Sequence, residues 1–426
     1  MRHVVAPILL ALLVPLSGCG PEAPGPPMTR HAYVWQTRWS PEVDAAVARA
    51  APVLDGFMAL CGEVDSDGKT FSFQPAEPVA RTGEDPVVPV LRARKGLGDA
   101  LSGGRTGEAA EFILNALPAA ARAPDGPGVQ LDYDCPTAAL ADYAALLEAL
   151  RGRLPGVTLS FTALPDWLNS ADFPRLARGA DYYVLQVHSL DRPAGPDAPH
   201  VLCDPEKAQA WARRAAGMGR PFFIALPTHR YRLLFDASGK FRALTAEQDP
   251  GPPPPGWRAR EAAADPAGIA ALVREWTADP PRNCRGIVWF RLPVDGDRMN
   301  LPWGAFAKLI AGEAPTAVVV AEWSSPRPGL RELRLRATGD CRPPGDVRCA
   351  VHWPAGAVMA YDVLGGYTGE PAPAGDGVTL RGPAPEPGEE AVMAAWFRLG
   401  PDVADPESAI QCGLVASGPE GRSDRK

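Results

Sequence analysis

Short apolar runs alternate along the chain with stretches in which apolar residues recur every three or four positions. The short runs are typical of buried strands, and the periodic stretches are typical of amphipathic helices. The pattern predicts eight strands, at residues 31–36, 56–64, 87–92, 129–136, 157–163, 180–188, 221–227 and 285–292. Predicted helices lie at residues 41–51, 107–120, 137–153, 204–218, 265–278 and 303–311, with Ser40 and Thr137 as N-caps of the first and third.

Strands that alternate with helices over residues 31–312 indicate an α/β fold, the (β/α)8 or TIM barrel. An open doubly wound sheet is the alternative, but the Gly-rich phosphate turn of that fold does not follow the first strand. An insertion at residues 229–262 interrupts the alternation after the seventh strand. We therefore expect a barrel domain with one inserted segment.

After residue 315 the pattern changes to short alternating runs separated by Gly and Pro turns. The runs lie at residues 318–323, 331–337, 350–353, 358–363, 378–380, 391–397 and 409–415. They predict a small antiparallel β-sandwich over residues 316–426, which ends in a polar tail. Because Trp323, Trp353 and Trp396 are expected in its core, we expect the sandwich to buttress the barrel, with carbohydrate binding as the alternative.

The N-terminus has the features of an export signal. Arg2 precedes an apolar run at residues 4–16 that is too short to span a membrane. The following Leu16-Ser17-Gly18-Cys19 resembles the lipobox of bacterial lipoproteins. The resemblance implies a signal peptide at residues 1–18 and acylation of Cys19. An ordinary secretory signal with a coincidental cysteine is the alternative.

A Pro-rich tether follows at residues 19–30 and lacks an apolar period. Gly20, where an Asp would imply inner-membrane retention, implies an outer-membrane lipoprotein. We therefore expect a lipid bilayer as partner through Cys19. The net charge of −7 gives no basic surface for nucleic acid, so a nucleic-acid partner is not expected.

Of the eight cysteines, seven remain after Cys19, and an exported protein meets conditions that permit disulfides. Cys341 with Cys349, and Cys135 with Cys203, are the pairs that we suggest, although sequence cannot establish connectivity. The chain has no Cys-x-x-Cys motif or Cys/His cluster, so we expect neither a structural zinc ion nor another metal or cofactor.

Two acids interrupt the apolar fourth strand, Val129 to Pro136. Residues two apart share a face of a strand, so Gln130, Asp132 and Asp134 point to the same side. Burying carboxylates is costly, and in a TIM barrel the C-terminal ends of the strands form the working face, which we call the mouth. These acids are therefore candidates for catalysis, with structural acids paired to Arg291 as the alternative.

Carboxylates beside aromatic and imidazole side chains are suited to sugars, since flat rings stack on pyranoses and acids transfer protons. The candidate catalytic residues are Asp134, Asp132 and Glu63. The candidate substrate-binding residues are Tyr33, Trp35, Gln186, His188, His229, Trp289 and Arg291. Barrel filling is the alternative for the two tryptophans, and hydrogen-bonded burial is the alternative for His188.

Three motifs carry a family resemblance: Tyr33-Val34-Trp35-Gln36, Leu131-Asp132-Tyr133-Asp134-Cys135-Pro136 and Tyr182-Tyr183-Val184-Leu185-Gln186-Val187-His188. The chain resembles a bacterial lipoprotein family of unknown function over residues 31–310. More distantly, it is similar to family 18 (chitinase-type) glycoside hydrolases, which carry Asp-x-x-Asp-x-Asp-x-Glu on strand four.

In one register of that resemblance Asp134 takes the place of the catalytic Glu, with Asp132 beside it; in the other register Pro136 takes it. Gln186 and His188 take the place of the strand-six Met-x-Tyr-Asp run, and Trp289 the place of the strand-eight Trp. The resemblance implies a glycoside-hydrolase-like barrel that acts on or binds a carbohydrate.

Three hypotheses follow for the function. The first is a lipid-anchored glycoside hydrolase with Asp134 as general acid, and the second is a non-catalytic glycan-binding or envelope scaffold lipoprotein. The third, the weakest, is a metal-assisted hydrolase that uses Asp132, Asp134, His188 and His229. An Asp134 carboxylate in an open cleft near a second carboxylate favours the first, and one neutralised by Arg291 favours the second.

Overall fold

The computed structural model describes residues 27–77, 87–188, 193–198, 200–246, 253–343, 346–401, 403 and 408–415. The predicted signal peptide, Cys19, most of the tether and the polar tail lie outside these residues. Across the described ranges, the structure contains no helix that is both long and apolar enough to cross a membrane.

The first domain alternates strands and helices. Its strands are β1 (Thr29–Val34), β2 (Gly56–Ser66), β3 (Phe71–Pro75), β4 (Val87–Ala93), β5 (Val129–Asp132), β6 (Leu159–Ala163), β7 (Tyr182–Gln186), β8 (Phe222–Pro227), β9 (Arg230–Phe235), β10 (Phe241–Thr245), β11 (Arg258–Ala263) and β12 (Cys284–Phe290). Its helices are α1 (Pro41–Ala50), α2 (Lys95–Ser102), α3 (Thr106–Ala116), α4 (Leu140–Arg153), α5 (Phe173–Arg178), α6 (Pro205–Ala216), α7 (Pro266–Ala278) and α8 (Trp303–Ile310).

Eight of these strands, β1, β2, β4, β5, β6, β7, β8 and β12, form a closed parallel barrel. Neighbours in the barrel follow chain order, and β1 closes the ring by pairing with both β2 and β12. Gly286 lies against the backbone carbonyl of Thr29 at this closure, where a Cβ atom would overlap that oxygen. The predicted (β/α)8 barrel is confirmed.

Alternate residues of each barrel strand face the interior or the surrounding helices. The interior is filled by a small cluster that includes Tyr33, Met58, Val90 and Val288. The outward side chains join the helices in the main apolar core. On β5 the outward residue is Leu131, which is fully buried among the helices, so Gln130 and Asp132 face the barrel interior.

The predicted helix at residues 107–120 corresponds to α3, which ends at Ala116, and an additional helix, α2, precedes it across a turn at Gly103 and Gly104. The prediction of Thr137 as an N-cap is wrong, because this residue begins a short 3-10 turn and α4 starts only at Leu140. Ser40 occupies the N-cap position of α1, but its hydroxyl donates to Glu42 Oε2 (2.6 Å) instead of capping.

Two elements extend the barrel beyond its eight strands. Strand β3 pairs antiparallel with β2 where β2 extends past the barrel. Strands β9, β10 and β11 form a separate antiparallel sheet with β9 in the centre, and this sheet occupies the predicted insertion after the seventh barrel strand. Leu233, Phe235 and Ala262 give this inserted sheet its own small core.

The second domain consists of two antiparallel four-stranded sheets. Its strands are β13 (Val319–Arg327), β14 (Leu330–Ala337), β15 (Asp346–His352), β16 (Val358–Val363), β17 (Thr368–Pro371), β18 (Gly377–Pro383), β19 (Val392–Leu399) and β20 (Gln411–Val415). The sheet orders are β13-β14-β19-β16 and β17-β18-β15-β20. Side chains from both sheets, such as Leu335 and Val351, share one core, so the predicted β-sandwich is confirmed.

Buried charges join the sandwich to the inserted sheet. Glu261 of β11 pairs with Arg230 of β9 (Nη1 to Oε2, 3.3 Å) and with Arg342, which precedes β15. Arg342 Nη1 also lies 3.0 Å from Glu386 Oε1. The Arg230 and Arg342 side chains are only 4% and 10% exposed, so this ion network is a buried connection between the two domains.

The suggested disulfides do not form. All seven cysteines among the described residues are free thiols, including both members of the Cys341–Cys349 and Cys135–Cys203 pairs. Cys349 instead lies beside Cys412 of the neighbouring strand β20, to which its thiol is hydrogen-bonded. The pairs were wrong because spacing along the chain does not indicate which strands become neighbours.

Candidate functional site

A layer of polar side chains lies on the interior apolar cluster, at the level of Gln130. Tyr33 Oη donates to Gln130 Oε1 at 2.6 Å, and Gln130 Nε2 donates to Ser160 Oγ at 3.2 Å. Both Tyr33 and Gln130 are buried, so Tyr33 supports the floor of the mouth and is not accessible to a ligand. This corrects the prediction that Tyr33 binds substrate.

Asp132 stands above this floor and is 7% exposed. Its Oδ1 accepts a hydrogen bond from Thr162 Oγ1 at 2.7 Å, and Arg92 Nε lies 3.9 Å from its Oδ2. Burial, and after it the nearby charge of Asp134, raise the pKa of Asp132 to about 7 against the opposing effects of Thr162 and Arg92. Asp132 therefore holds a proton over part of the neutral pH range.

Asp134 follows the end of β5 and is exposed to solvent. Gln186 Nε2, at the end of β7, lies 3.4 Å from Asp134 Oδ1. Desolvation raises the pKa of Asp134, although Arg92 and the Gln186 amide oppose that rise. A carboxyl that is accessible and still partly desolvated lies in a concave part of the surface, where a substrate can reach it.

Glu63, the third predicted acid, is ion-paired with two arginines. Its Oε1 lies 3.3 Å from Arg92 Nη1 and its Oε2 lies 2.8 Å from Arg94 Nη1. The Glu63 side chain is 14% exposed, so both oxygens are engaged in a partly buried network. Glu63 orients Arg92, and this arrangement does not leave it free to exchange a proton with a substrate.

Arg92 is the residue that connects the three acids, and sequence analysis missed it. It ends the inward-facing series Val88, Val90 and Arg92 on β4 and is paired in register with Asp132. The period-two pattern could have found Arg92, because it shares the face of the two apolar residues that fill the barrel.

Aromatic side chains form the wall of the mouth beside Asp134. Phe290, at the end of β12, packs edge-on against Trp35 (5.2 Å between ring centroids) and Tyr33 (5.6 Å). Trp35 is 8% exposed and mainly fills the barrel, whereas Phe290 and Tyr231 are half-buried. Phe290 and Tyr231 therefore offer the accessible ring surfaces of this wall.

His188 and His229, which follow the ends of β7 and β8, both pack on Phe290. His188 stacks on Phe290 (5.3 Å), and its ring meets that of His229 edge-on at 5.7 Å. Burial lowers the pKa of His188 to about 4 and that of His229 to about 3, so both are neutral at pH 7. His229 is 2% exposed, so the predicted contact between His229 and a substrate is not formed.

The structure places two predicted site residues outside the mouth. Trp289 is fully buried between barrel and helices and packs edge-on against Phe306 (5.5 Å), so it cannot contact a ligand. Arg291 is 6% exposed, and its Nη2 donates to Asp297 Oδ2 (2.6 Å) and to the Ala246 carbonyl (2.9 Å). Arg291 therefore does not neutralise Asp134.

The geometry of the mouth does not favour a metal centre. Within the described ranges, no group of three or more His, Cys, Asp and Glu side chains could hold a metal ion.

The opposite end of the barrel contains a surface depression of about 350 Å³. It is lined by Pro27, Thr29, Asp181, Tyr182, Pro221, Phe223 and Arg285. Its acid, Asp181, is already bonded to Arg151 Nη2 (2.7 Å) and to the Leu159 amide (2.7 Å). The depression therefore offers no free acid, and the mouth is the better candidate site.

Comparison with known proteins gives one family-model match, which is confined to the central part of the chain. Residues 111–295 match the model of a domain of unknown function, DUF3142. The matched stretch contains five of the eight barrel strands, β5 to β8 and β12. No curated protein matches the chain.

Solved structures similar to this chain include three barrel enzymes. The Bacillus cereus spore cortex-lytic enzyme SleL is 13% identical with a TM-score of 0.46, and the match covers 68% of this chain and 75% of SleL. A Chromobacterium violaceum chitinase is 12% identical with a TM-score of 0.45, and the match covers 67% of this chain and 98% of that chitinase. The family 18 chitinase ChiB of Flavobacterium johnsoniae is also 12% identical, with a TM-score of 0.42, and the match covers 67% of this chain and 94% of ChiB. These similarities concern the fold alone.

Proposed function

We propose that this protein is an exported, lipid-anchored glycoside hydrolase that acts on a carbohydrate of the cell envelope in the barrel mouth. The observation that supports the reaction is the pair of Asp132 and Asp134. The Asp132 carboxyl is buried, and its pKa is raised to about 7. The Asp134 carboxyl is accessible, and its pKa is also raised. Such a pair titrates as a unit and retains a proton near neutral pH.

The proposed step uses this proton at Asp134, the member of the pair that a substrate can reach. The glycosidic oxygen takes the proton as its bond to the anomeric carbon breaks, and water adds to that carbon and returns a proton to the pair. Asp132 is the second carboxylate, because Glu63 is held by Arg92 and Arg94. Phe290 and Tyr231 provide ring surfaces for the sugar, and Gln186 orients Asp134.

Replacing Asp134 tests this proposal. Asp134→Asn should lower hydrolysis of a panel of peptidoglycan and polysaccharides by about 10²-fold or more, because the general acid is lost. The melting temperature should stay the same, since Asp134 is exposed. Asp166→Asn, an exposed acid beyond β6, is the matched control and should hydrolyse normally. Hydrolysis by Asp134→Asn at the wild-type rate would remove Asp134 from the acid role.

A non-catalytic glycan-binding lipoprotein is the second candidate. The ion pairing of Glu63 favours it, because Asp134 is then the one accessible acid among the three predicted. Product analysis on the same panel separates the two candidates. Binding of a polysaccharide by the wild type without release of reducing ends would support the second candidate over the first.

A further inference from the structure

The three tryptophans of the sandwich have different surroundings. Trp353 is 7% exposed and packs on Tyr361 and Phe397 in the shared core. Trp323 packs on Phe397, and the Arg331 guanidinium lies over its ring at 5.3 Å. Trp396 is half-buried and does not belong to the shared core. The expectation that Trp396 is a core residue is therefore wrong.

Strand register places the Trp396 side chain on the outer face of its sheet. Its neighbours on β19, Ala395 and Phe397, are fully buried and face the core, so Trp396 faces the other way. Among the described residues, no cation lies over its ring and its indole N–H has no hydrogen-bond partner, although that group is not buried. One ring surface is therefore available to a ligand.

Carboxylates flank Trp396 on both sides. Glu332 of β14 and Asp362 of β16 are its direct cross-strand partners, so the three side chains form a row across the sheet. Neighbouring strands are about 4.8 Å apart, so the backbones of Glu332 and Asp362 each lie about one strand spacing from that of Trp396. Asp362 is exposed, and Glu332 is contacted by Ser324 Oγ (3.3 Å) and Arg334 Nη2 (3.4 Å).

We propose that this row, Glu332, Trp396 and Asp362, is a second carbohydrate-binding site, which holds one pyranose of a neutral polysaccharide. The apolar C–H face of the sugar stacks on the indole, and the hydroxyls at its rim donate to the two carboxylates.

Charge selects this occupant over the alternatives. An apolar protein surface would desolvate the exposed Asp362 carboxylate without giving it a donor, which is costly. A uronic acid would place its carboxylate next to two others, whereas the hydroxyls of a neutral or N-acetylated sugar satisfy them. The site lies on the sandwich and does not require catalysis in the barrel mouth.

Co-sedimentation of the full chain with three insoluble polysaccharides, chitin, cellulose and purified peptidoglycan sacculi, tests the proposal. Asp134→Asn serves as the background, so that turnover in the mouth does not alter the probe. We expect binding to at least one polysaccharide and a loss of about tenfold in affinity for Trp396→Ala. Trp396→Phe should retain part of the affinity, because it keeps a ring that can stack.

Arg398→Ala is the matched control, because Arg398 is exposed on the same strand and face but carries no ring. It should bind as the background protein does, and the melting temperatures of all variants should agree. The proposal is overturned if Trp396→Ala binds all three polysaccharides unchanged, or if the background protein binds none. Hydrolysis measured separately on soluble oligosaccharides reports on the mouth, so failure of one proposal is distinguishable from failure of the other.

Discussion

Asp132 and Asp134 are two residues apart, yet their surroundings give them different tasks. Asp132 is enclosed by Thr162 and Arg92, whereas Asp134 lies past the strand end and reaches solvent. Like charges at close range oppose joint ionisation, so the pair is a proton reservoir with one accessible member. The difference arises from position along one strand and not from residue type.

The buried member of the pair makes a prediction about stability. The pKa of Asp132 is raised to about 7 from an unfolded value of about 3.9, so the folded state binds the extra proton between these limits. This group therefore lowers the free energy of unfolding as pH rises from about 4 to about 7. Asp132→Asn keeps an acceptor for Thr162 and removes the titration.

Denaturant unfolding at about pH 4.5 and about pH 8 measures this effect. Relative to the wild type, Asp132→Asn should gain stability at the higher pH. Asp166→Asn changes an exposed acid that is not among the groups shifting the pKa of either aspartate, so it should follow the wild type at both values. An equal difference between Asp132→Asn and wild type at the two pH values would contradict the assigned pKa.

At the scale of elements, the barrel was predictable because each of its strands is a short apolar run. Which side chains of β12 face the barrel interior could not be predicted. Both faces of this strand are buried, as Ile287, Val288 and Trp289 show. The sequence therefore has no alternation of apolar and polar residues that would reveal which side chains face the barrel interior. A register shift between Cys284 and Gly286 sets that parity. As a result Phe290, and not Trp289, reaches the mouth.

By contrast, the parity of β5 was readable, because Leu131 is apolar between Gln130 and Asp132. The ion pairs of Glu63 were not readable, since they depend on Arg92 and Arg94 of the adjacent strand, about thirty residues away in sequence. Pairing between strands, and hence which acid stays free, is information that a single sequence pattern does not contain.

Helix α2 gives a prediction at this scale. Gly96, its second residue, lies so close to the Ser66 carbonyl at the end of β2 that a Cβ atom would overlap it. Gly96→Ala should destabilise the protein by about 2 kcal/mol, because backbone must move. Gly107 is the second residue of α3 with open space around it, so Gly107→Ala should be neutral or stabilise by about 0.5 kcal/mol. Equal effects in denaturant unfolding would refute the close contact.

At the scale of the molecule, Glu261 connects the two domains. Glu261→Gln leaves the buried Arg230 without a carboxylate, whereas Arg342 keeps Glu386, so we expect a loss of about 2 kcal/mol in unfolding free energy. Glu148→Gln is the control: its pair with Arg175 is about half exposed, so the change should stay within about 0.5 kcal/mol. If both substitutions cost the same in denaturant unfolding, the network does not stabilise the joint.

The proposed lipid anchor is also tested on the whole molecule. Cys19→Ala removes the thiol that would be acylated, so the protein should move from the detergent phase to the aqueous phase in detergent partitioning of cells. Cys61→Ala keeps the anchor and should partition as the wild type does. Membrane association of Cys19→Ala would rule out the lipid anchor.

The start of β1 lies at the end of the barrel opposite the mouth. Parallel strands begin at one end and finish at the other, so Thr29 and the mouth lie at opposite ends. If Cys19 carries the proposed lipid, the ten residues from Cys19 to Thr29 span at most roughly 35 Å, and they join the barrel at the end away from the acids. The height of the barrel would then add to the reach of the tether, so that an anchored molecule could bring its mouth to polymers beyond the lipid surface.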